Sequence, residues 1–144
     1  MKALAMFLPL CALLAAPPLA AKPADFATIV ADKTRSEAHR KLDAGRDPAA
    51  VLDFAGVKKG ETVADLMAGN GYFTAMLAQV VGPKGVVYAL NPPSFHDAKD
   101  WAAGRNARPN IRTLVVPIQT MKLAPGSIDT LFTHQVYHDL YWES

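Results

Sequence analysis

The chain has 144 residues, enough for one domain, and 51% of them are hydrophobic. Its 15 basic and 13 acidic residues nearly balance, and no basic stripe is interleaved with aromatic residues, so nucleic acid is not an expected partner. The single cysteine, Cys11, precedes the region where a folded domain is predicted. Disulfides, thiolate catalysis and cysteine metal sites are therefore excluded from that domain.

Residues 1–20 have the pattern of a secretory signal peptide. Lys2 supplies a positive start, an apolar run follows, and the small residues Ala20 and Ala21 suit cleavage. An uncleaved anchor is the weaker alternative, because a membrane helix needs about 20 apolar residues. We therefore expect export to the periplasm and no membrane segment after cleavage. A helical leader is predicted over residues 21–45.

Two helical segments precede the centre of the sequence. Residues 23–44 favour helix with a loose apolar stripe, and His39 is predicted on the solvated face. Asp47 and Pro48 then provide an N-cap and a first-turn proline for a second helix, which Gly56 ends. The apolar members of the second helix are Val51, Leu52 and Phe54.

The centre of the sequence reads as a strand, a glycine turn and a helix. Residues 62–67 suit a short buried strand, and Gly69 and Gly71 follow it. Apolar residues then recur at helical spacing, at Phe73, Met76, Leu77, Val80 and Val81. A doubly wound sheet builds a nucleotide pocket in this way, because glycine lets the backbone approach a ligand and a helix N-terminus offers free N–H groups.

Three further strands are predicted at residues 85–90, 111–116 and 128–133, and a short helix at residues 95–104. The run NPPS after the second strand is interpreted as a strand terminator. The resulting order, βαβαββ with crossovers, suits parallel pairing. The sequence therefore predicts an α/β fold.

The glycine turn resembles motif I of the class I S-adenosylmethionine-dependent methyltransferases, in which an acid on the first strand precedes Gly-x-Gly. More narrowly, the chain is similar to the predicted secreted methyltransferases of bacteria. The matching segments are GRDP at 45–48, FAG at 54–56, GNGYFT at 69–74 and YHD at 137–139. The resemblance implies a Rossmann-like methyltransferase sheet in residues 46–144, truncated after its fourth strand.

The resemblance also implies S-adenosylmethionine as the cofactor. The residues expected to bind it are Asp65, Ala68, Gly69, Asn70, Gly71, Asn91 and Gln119. Two positions depart from the family pattern. Met67 stands where the wider class often has glycine, and Asn91 stands where an acid usually accepts both ribose hydroxyls. An amide oxygen can accept one such bond, but without charge assistance.

Alternatives remain for the turn and for its acid. Gly69 and Gly71 could form a tight turn with no ligand. A nicotinamide dinucleotide is a less suitable ligand, because its motif requires a third glycine where Thr74 stands. Asp65 could cap the loop as a structural acid, or it could orient the loop and the amino end of the cofactor.

Candidate catalytic residues follow the fourth strand, at the edge where open α/β sheets bind substrates. They are His134, Tyr137, His138 and Asp139. A histidine there could take a proton from a nucleophile that attacks the methyl group, and the alternative is an ordinary polar lining. No metal site is predicted, because His134 and His138 at i and i+4 lack a third ligand.

We therefore expect an exported methyltransferase that acts on a small molecule, with neither the acceptor nor the oligomeric state readable from the sequence. The alternative is a non-catalytic module on the same fold that binds a nucleotide or S-adenosylmethionine. The sheet of this class continues beyond the four strands predicted here. The chain is therefore expected to be the cofactor-binding part of a longer protein and inactive by itself.

Overall fold

The four predicted strands form one parallel sheet. The structure of the chain, a computed structural model, describes residues 25–95 and 108–141. The strands are β1 (Thr62–Leu66), β2 (Val86–Asn91), β3 (Ile111–Val115) and β4 (Thr130–Phe132). They lie in the order β3-β2-β1-β4, which confirms the predicted α/β class. The predicted signal peptide and nearly all of the predicted helix at 95–104 lie outside the described residues.

Strand β1 lies inside the sheet and sets the register for its neighbours. Asp65 is aligned with Ala89 of β2 on one side and with Phe132 of β4 on the other. Since all the strands are parallel, their carboxyl ends meet at one edge of the sheet. The loops that follow β1, β2 and β4 therefore meet at that edge.

The leader contains three short helices, so a continuous helix over residues 23–44 is wrong. The helices are α1 (Phe26–Val30), α2 (Glu37–Lys41) and α3 (Asp43–Arg46). The Asp32 carboxylate accepts bonds from the amide and the hydroxyl of Thr34, at 2.8 and 2.7 Å, and Ser36 caps the start of α2. Such local side-chain bonds compete with helical ones and break the helix.

The second predicted helix is confirmed as α4 (Pro48–Ala55), with Gly56 at its C-cap in a left-handed conformation. Its apolar residues are not all inside, because Leu52 is fully buried whereas Phe54 is 94% exposed. Phe54 lines a groove of about 490 Å³ together with Leu131 of the end strand β4. None of the described helices is long and apolar enough to cross a membrane.

The core lies between the sheet and helix α5 (Thr74–Val81), in which every residue except Gln79 is buried. Leu52, Val63 and Val87 join this core from α4, β1 and β2. His39 packs edge-on against Tyr72, with ring centroids 5.6 Å apart, and is only 7% exposed. Its predicted place on a solvated face is therefore wrong.

Candidate active site

The loop between β1 and α5 turns through left-handed backbone conformations. Gly69 has φ +57° and Gly71 has φ +82°, values that glycine adopts without strain. Met67 has φ +56°, which costs a residue with a side chain about 1 kcal/mol or more. This is the position where the wider class often has glycine, so the departure seen in the sequence corresponds to local backbone strain.

Asn91, at the end of β2, is bonded to this loop through both halves of its amide. Its Oδ1 accepts from the Gly69 N–H at 2.7 Å, and its Nδ2 donates to the Gly69 carbonyl at 3.2 Å. The Asn91 side chain is completely buried. Asn91 therefore fixes the position of Gly69, and its predicted contact with a ribose stays a prediction.

Asp65 lies in β1 directly beneath the loop. Its residue is 4% exposed, and Oδ2 accepts a bond from the Thr74 hydroxyl at 2.6 Å. Burial raises the pKa of Asp65 to about 7, against the lowering effect of that hydrogen bond. An acidic side chain whose pKa is raised this far by burial, at the edge of a sheet where the strands end, is typical of a functional site.

A cavity of about 210 Å³ opens at this edge of the sheet. It brings together five of the predicted site residues, which are Asp65, Ala68, Gly69, Asn70 and His134. The other lining residues are not among the predicted ones; they are Arg46, Met67, Tyr72, Phe73, Phe95, Phe132, Gln135 and Val136. The lining thus combines a buried acid, a glycine loop, a cation and a histidine.

The other predicted site residues do not line the cavity. Gly71 closes the loop by donating to the Ala68 carbonyl, Asn91 holds Gly69, and Gln119 is exposed in a 3-10 turn after β3. Tyr137, His138 and Asp139 lie in a 3-10 turn, where His138 pairs with Asp139 at 3.2 Å. Tyr137 is 66% exposed, and the His138 side chain is 72% exposed. Among the candidate catalytic residues, only His134 lines the cavity.

His134 follows β4 and packs against Phe73, with ring centroids 4.6 Å apart. Burial lowers the pKa of His134, and the positive charge of Arg46 lowers it further. His134 is therefore mainly neutral at pH 7, which is the form that can accept a proton.

A buried polar network connects the leader to the glycine loop. Arg35 forms a bidentate ion pair with Asp43, at 2.9 and 2.6 Å, and the Tyr72 hydroxyl donates to Asp43 at 2.7 Å. Burial and the bond to Asp43 raise the pKa of Tyr72 to about 12. Burial opposes ionisation of Asp43, but the bonds from Arg35 and Tyr72 outweigh it and lower its pKa. The leader is therefore attached to the glycine loop, whose residue Tyr72 lines the cavity.

Arg46, at the end of α3, contributes to the lining of the cavity. Its guanidinium carbon lies 4.5 Å from the centroid of the Tyr72 ring, a cation–π distance. No ion pair joins Arg46 to a carboxylate in residues 25–95 and 108–141. Within the same ranges, no group of three or more His, Cys, Asp or Glu side chains could hold a metal ion.

No protein-family model matches the chain, and no curated protein matches it. Among solved structures, the chain is similar to a SAM-dependent methyltransferase from Aquifex aeolicus, with a TM-score of 0.61 and 27% sequence identity. The alignment covers 82% of this chain and 61% of the Aquifex protein. The fold is that of a class I methyltransferase.

Two more distant matches have TM-scores of 0.45 and 23% identity, and each covers 59% of this chain. They are a protein-L-isoaspartate O-methyltransferase and a fibrillarin from Aeropyrum pernix in complex with natively bound S-adenosyl-L-methionine. The alignments cover 27% of the first protein and 40% of the second.

The lining residues that were not predicted are brought to the cavity by contacts between residues that are distant in sequence. Arg46 reaches the cavity because the Arg35–Asp43 pair and the Tyr72 hydroxyl attach α3 to the glycine loop. The only available signal was the position of Arg46 in the GRDP segment. No spacing rule shows that this arginine lies near His134.

Proposed function

We propose that the chain is the cofactor-binding region of an S-adenosylmethionine-dependent methyltransferase that acts on a small-molecule acceptor. The observation that carries this proposal is the cavity that places Asp65, the Gly69 loop and His134 together at the carboxyl edge of the sheet. Support also comes from the structural similarity to the Aquifex SAM-dependent methyltransferase.

The residues of the cavity suit this cofactor. A Cβ atom added at Gly69 would meet nothing within 4 Å, so the loop presents bare backbone to open space. Asp65 would face the ammonium group at the amino-acid end of the cofactor, whose positive charge would offset the cost of ionising a buried carboxyl. The aromatic rings of Phe95 and Phe132 offer apolar surface within the same cavity.

S-adenosylmethionine, when bound, supplies a methyl group on a sulfonium centre that is ready for displacement. The protein then has to position the acceptor and, if its nucleophile carries a proton, to remove that proton. We assign proton removal to His134, which lines the cavity and has a lowered pKa. Tyr137, His138 and Asp139 lie farther out and would meet only the periphery of an acceptor.

Replacing Gly69 by valine should weaken the binding of S-adenosylhomocysteine by more than tenfold, because the branched side chain would fill the cavity beside the loop. Calorimetry on the full chain measures this affinity. Gly56→Val is the matched control. Gly56 has φ +64° against +57° for Gly69, and its added Cβ also meets nothing within 4 Å, but Gly56 does not line the cavity.

Equal affinity in the Gly69→Val variant and the wild type would show that the loop does not bind the ligand. If the wild type gives no heat with S-adenosylhomocysteine or S-adenosylmethionine, the proposed function fails. Methyl transfer is not expected from the cofactor-binding region alone, so binding without transfer to any acceptor would favour the non-catalytic module only in a longer form of the protein. A preference for a nicotinamide dinucleotide would assign the loop to a different cofactor.

We also propose that the protein is exported to the periplasm and trimmed. The pattern of residues 1–20 supports this proposal. Intact-mass analysis of protein from a periplasmic extract should show a chain that starts at Ala21 or Lys22. Recovery of the chain from the cytoplasm with Met1 attached would contradict it.

A further inference from the structure

We propose that Arg46 is the carboxylate-binding residue of this cavity. This inference rests on the proposed function, which supplies the ligand. The carboxylate belongs either to the amino-acid end of the cofactor or to the acceptor. The inference is carried by the position of Arg46, by its charge balance and by the buried Tyr72 ring against which it packs.

The position of Arg46 is set by the polar network of the leader. Tyr72 is held by its hydrogen bond to Asp43, and its ring lies under the guanidinium of Arg46. Tyr72 is 2% exposed, so the ring is a fixed platform. A guanidinium that stacks on a ring keeps its N–H groups in the plane, where they can donate to a ligand.

The charge balance separates Arg46 from its neighbour Arg35. Arg35 is neutralised by its bidentate pair with Asp43, and it is 6% exposed. Arg46 is half-buried and has no such pair among the described residues. A guanidinium at a cavity wall without an acid partner is suited to receive an anion from a ligand.

The lining also indicates which anion fits. Arg46 is the only lysine or arginine among the described residues of the lining, and His134 is mainly neutral at pH 7. One positive charge with a planar pair of donors matches a carboxylate, which is a planar monoanion. A phosphate dianion would bring more charge than this wall can balance.

Calorimetry with two adenosyl ligands tests the proposal on the full chain. S-adenosylhomocysteine carries an amino-acid end, whereas 5′-methylthioadenosine lacks it. If the carboxylate comes from the cofactor, Arg46→Met should weaken S-adenosylhomocysteine binding by about tenfold or more and leave 5′-methylthioadenosine binding within about twofold. Arg46→Lys keeps the charge but loses the planar donors. Its affinity for S-adenosylhomocysteine should lie between those of the wild type and Arg46→Met.

A second titration detects a carboxylate on the acceptor. Acetate is added to protein saturated with S-adenosylhomocysteine, and binding is read from the NMR shifts of the His134 ring, which lies in the same cavity. If the acceptor supplies the carboxylate, Arg46→Met should bind S-adenosylhomocysteine like the wild type but lose the acetate response. Wild-type behaviour of Arg46→Met in both titrations would overturn the proposal.

Arg112→Met is the matched control for lost charge. Arg112 lines a different cavity, which lies at the amino ends of the strands, and donates to the Pro109 and Ile111 carbonyls. It should behave like the wild type with all three ligands, and thermal melts verify that each variant is folded.

If the wild type binds neither adenosyl ligand, the proposed function fails. The acetate titration on ligand-free protein then decides the role of Arg46. If acetate shifts the His134 signals equally in the wild type and in Arg46→Met, the Arg46 proposal is overturned.

Discussion

Replacing Asp65 by asparagine should raise the free energy of unfolding by on the order of 4 kcal/mol at pH 8 but by only about 2 kcal/mol at pH 5. The cause is burial, which raises the pKa of the carboxyl from 3.8 to about 7. Asparagine has nearly the same shape and can still accept the bond from the Thr74 hydroxyl, and it has no charge to bury.

The direction in which this stability changes with pH follows from the number of protons that Asp65 binds in the folded and the unfolded state. Unfolded Asp65 releases its proton near pH 3.8, whereas folded Asp65 keeps it until about pH 7. Between these values the folded state binds more protons, so the stability from this site decreases as pH rises. It is fully present below pH 3.8 and is lost once pH has risen through 7.

Urea unfolding of both proteins at pH 5 and pH 8 measures the effect. Asp32 and Asp43 have lowered pKa values and contribute the opposite trend, but subtracting the two curves cancels it. Asp53→Asn, on the exposed side of α4, is the control and should change stability little at either pH. An equal change at both pH values for Asp65→Asn would show that Asp65 is not the titrating group.

The same buried carboxyl links stability to the proposed function. A ligand with a cationic amino group would favour the ionised form of Asp65, so binding near pH 7 should release a fraction of a proton. Calorimetric heats in buffers with different ionisation enthalpies would reveal that proton. The Asp65→Asn variant should be more stable, bind more weakly and release no proton, which is the expected trade-off at a strained site.

The sequence predicted the features that depend on local pattern. Apolar runs located the four strands, and parallel strands bring their carboxyl ends to one edge, so Asp65, Gly69 and His134 meet as expected. The same rule placed Tyr137 near the cavity. That rule does not predict the 3-10 turn in which Tyr137 lies, with 66% of the residue exposed. The direction of the chain after the end of a strand depends on tertiary contacts, which the strand pattern does not contain.

The missed features depend on contacts between distant residues. His39 belongs to a charged helical segment, and tertiary packing, including its contact with Tyr72, places it inside. Arg46 reaches the cavity through an ion pair between Arg35 and Asp43, whose spacing has no sequence signature. Met67 departs from the family pattern in the sequence, but the left-handed backbone that makes glycine suitable at this position is visible only in the folded loop.

Asn91→Asp should weaken both the fold and cofactor binding, although an acid is the usual residue of the wider class at this position. The exchange replaces the Nδ2 donor, 3.2 Å from the Gly69 carbonyl, by an oxygen that faces another oxygen in a fully buried site. A buried acceptor left without its donor costs about 1–3 kcal/mol, and a charged one costs more. We expect a loss of about 3 kcal/mol in the free energy of unfolding at pH 7.

Asn110→Asp is a matched control for this loss. The Asn110 amide donates to the carbonyls of Ala78 and Gly82, so the same exchange also removes donors from backbone carbonyls. Asn110 lines the cavity at the amino ends of the strands and not the one beside the Gly69 loop. Both variants should therefore lose stability in urea unfolding, but only Asn91→Asp should lose affinity for S-adenosylhomocysteine.

The two possible roles of Asn91 predict opposite signs for binding. If its side chain accepts a ribose hydroxyl, a carboxylate in its place should tighten binding through charge assistance. If it holds the Gly69 loop, the carboxylate should release that loop and weaken binding by about tenfold or more. Lowering the pH separates the roles again, because a protonated carboxyl can donate to the Gly69 carbonyl and restore the support. Tighter binding at pH 7 would assign Asn91 to the ribose. Weaker binding that recovers at acid pH would assign it to the loop.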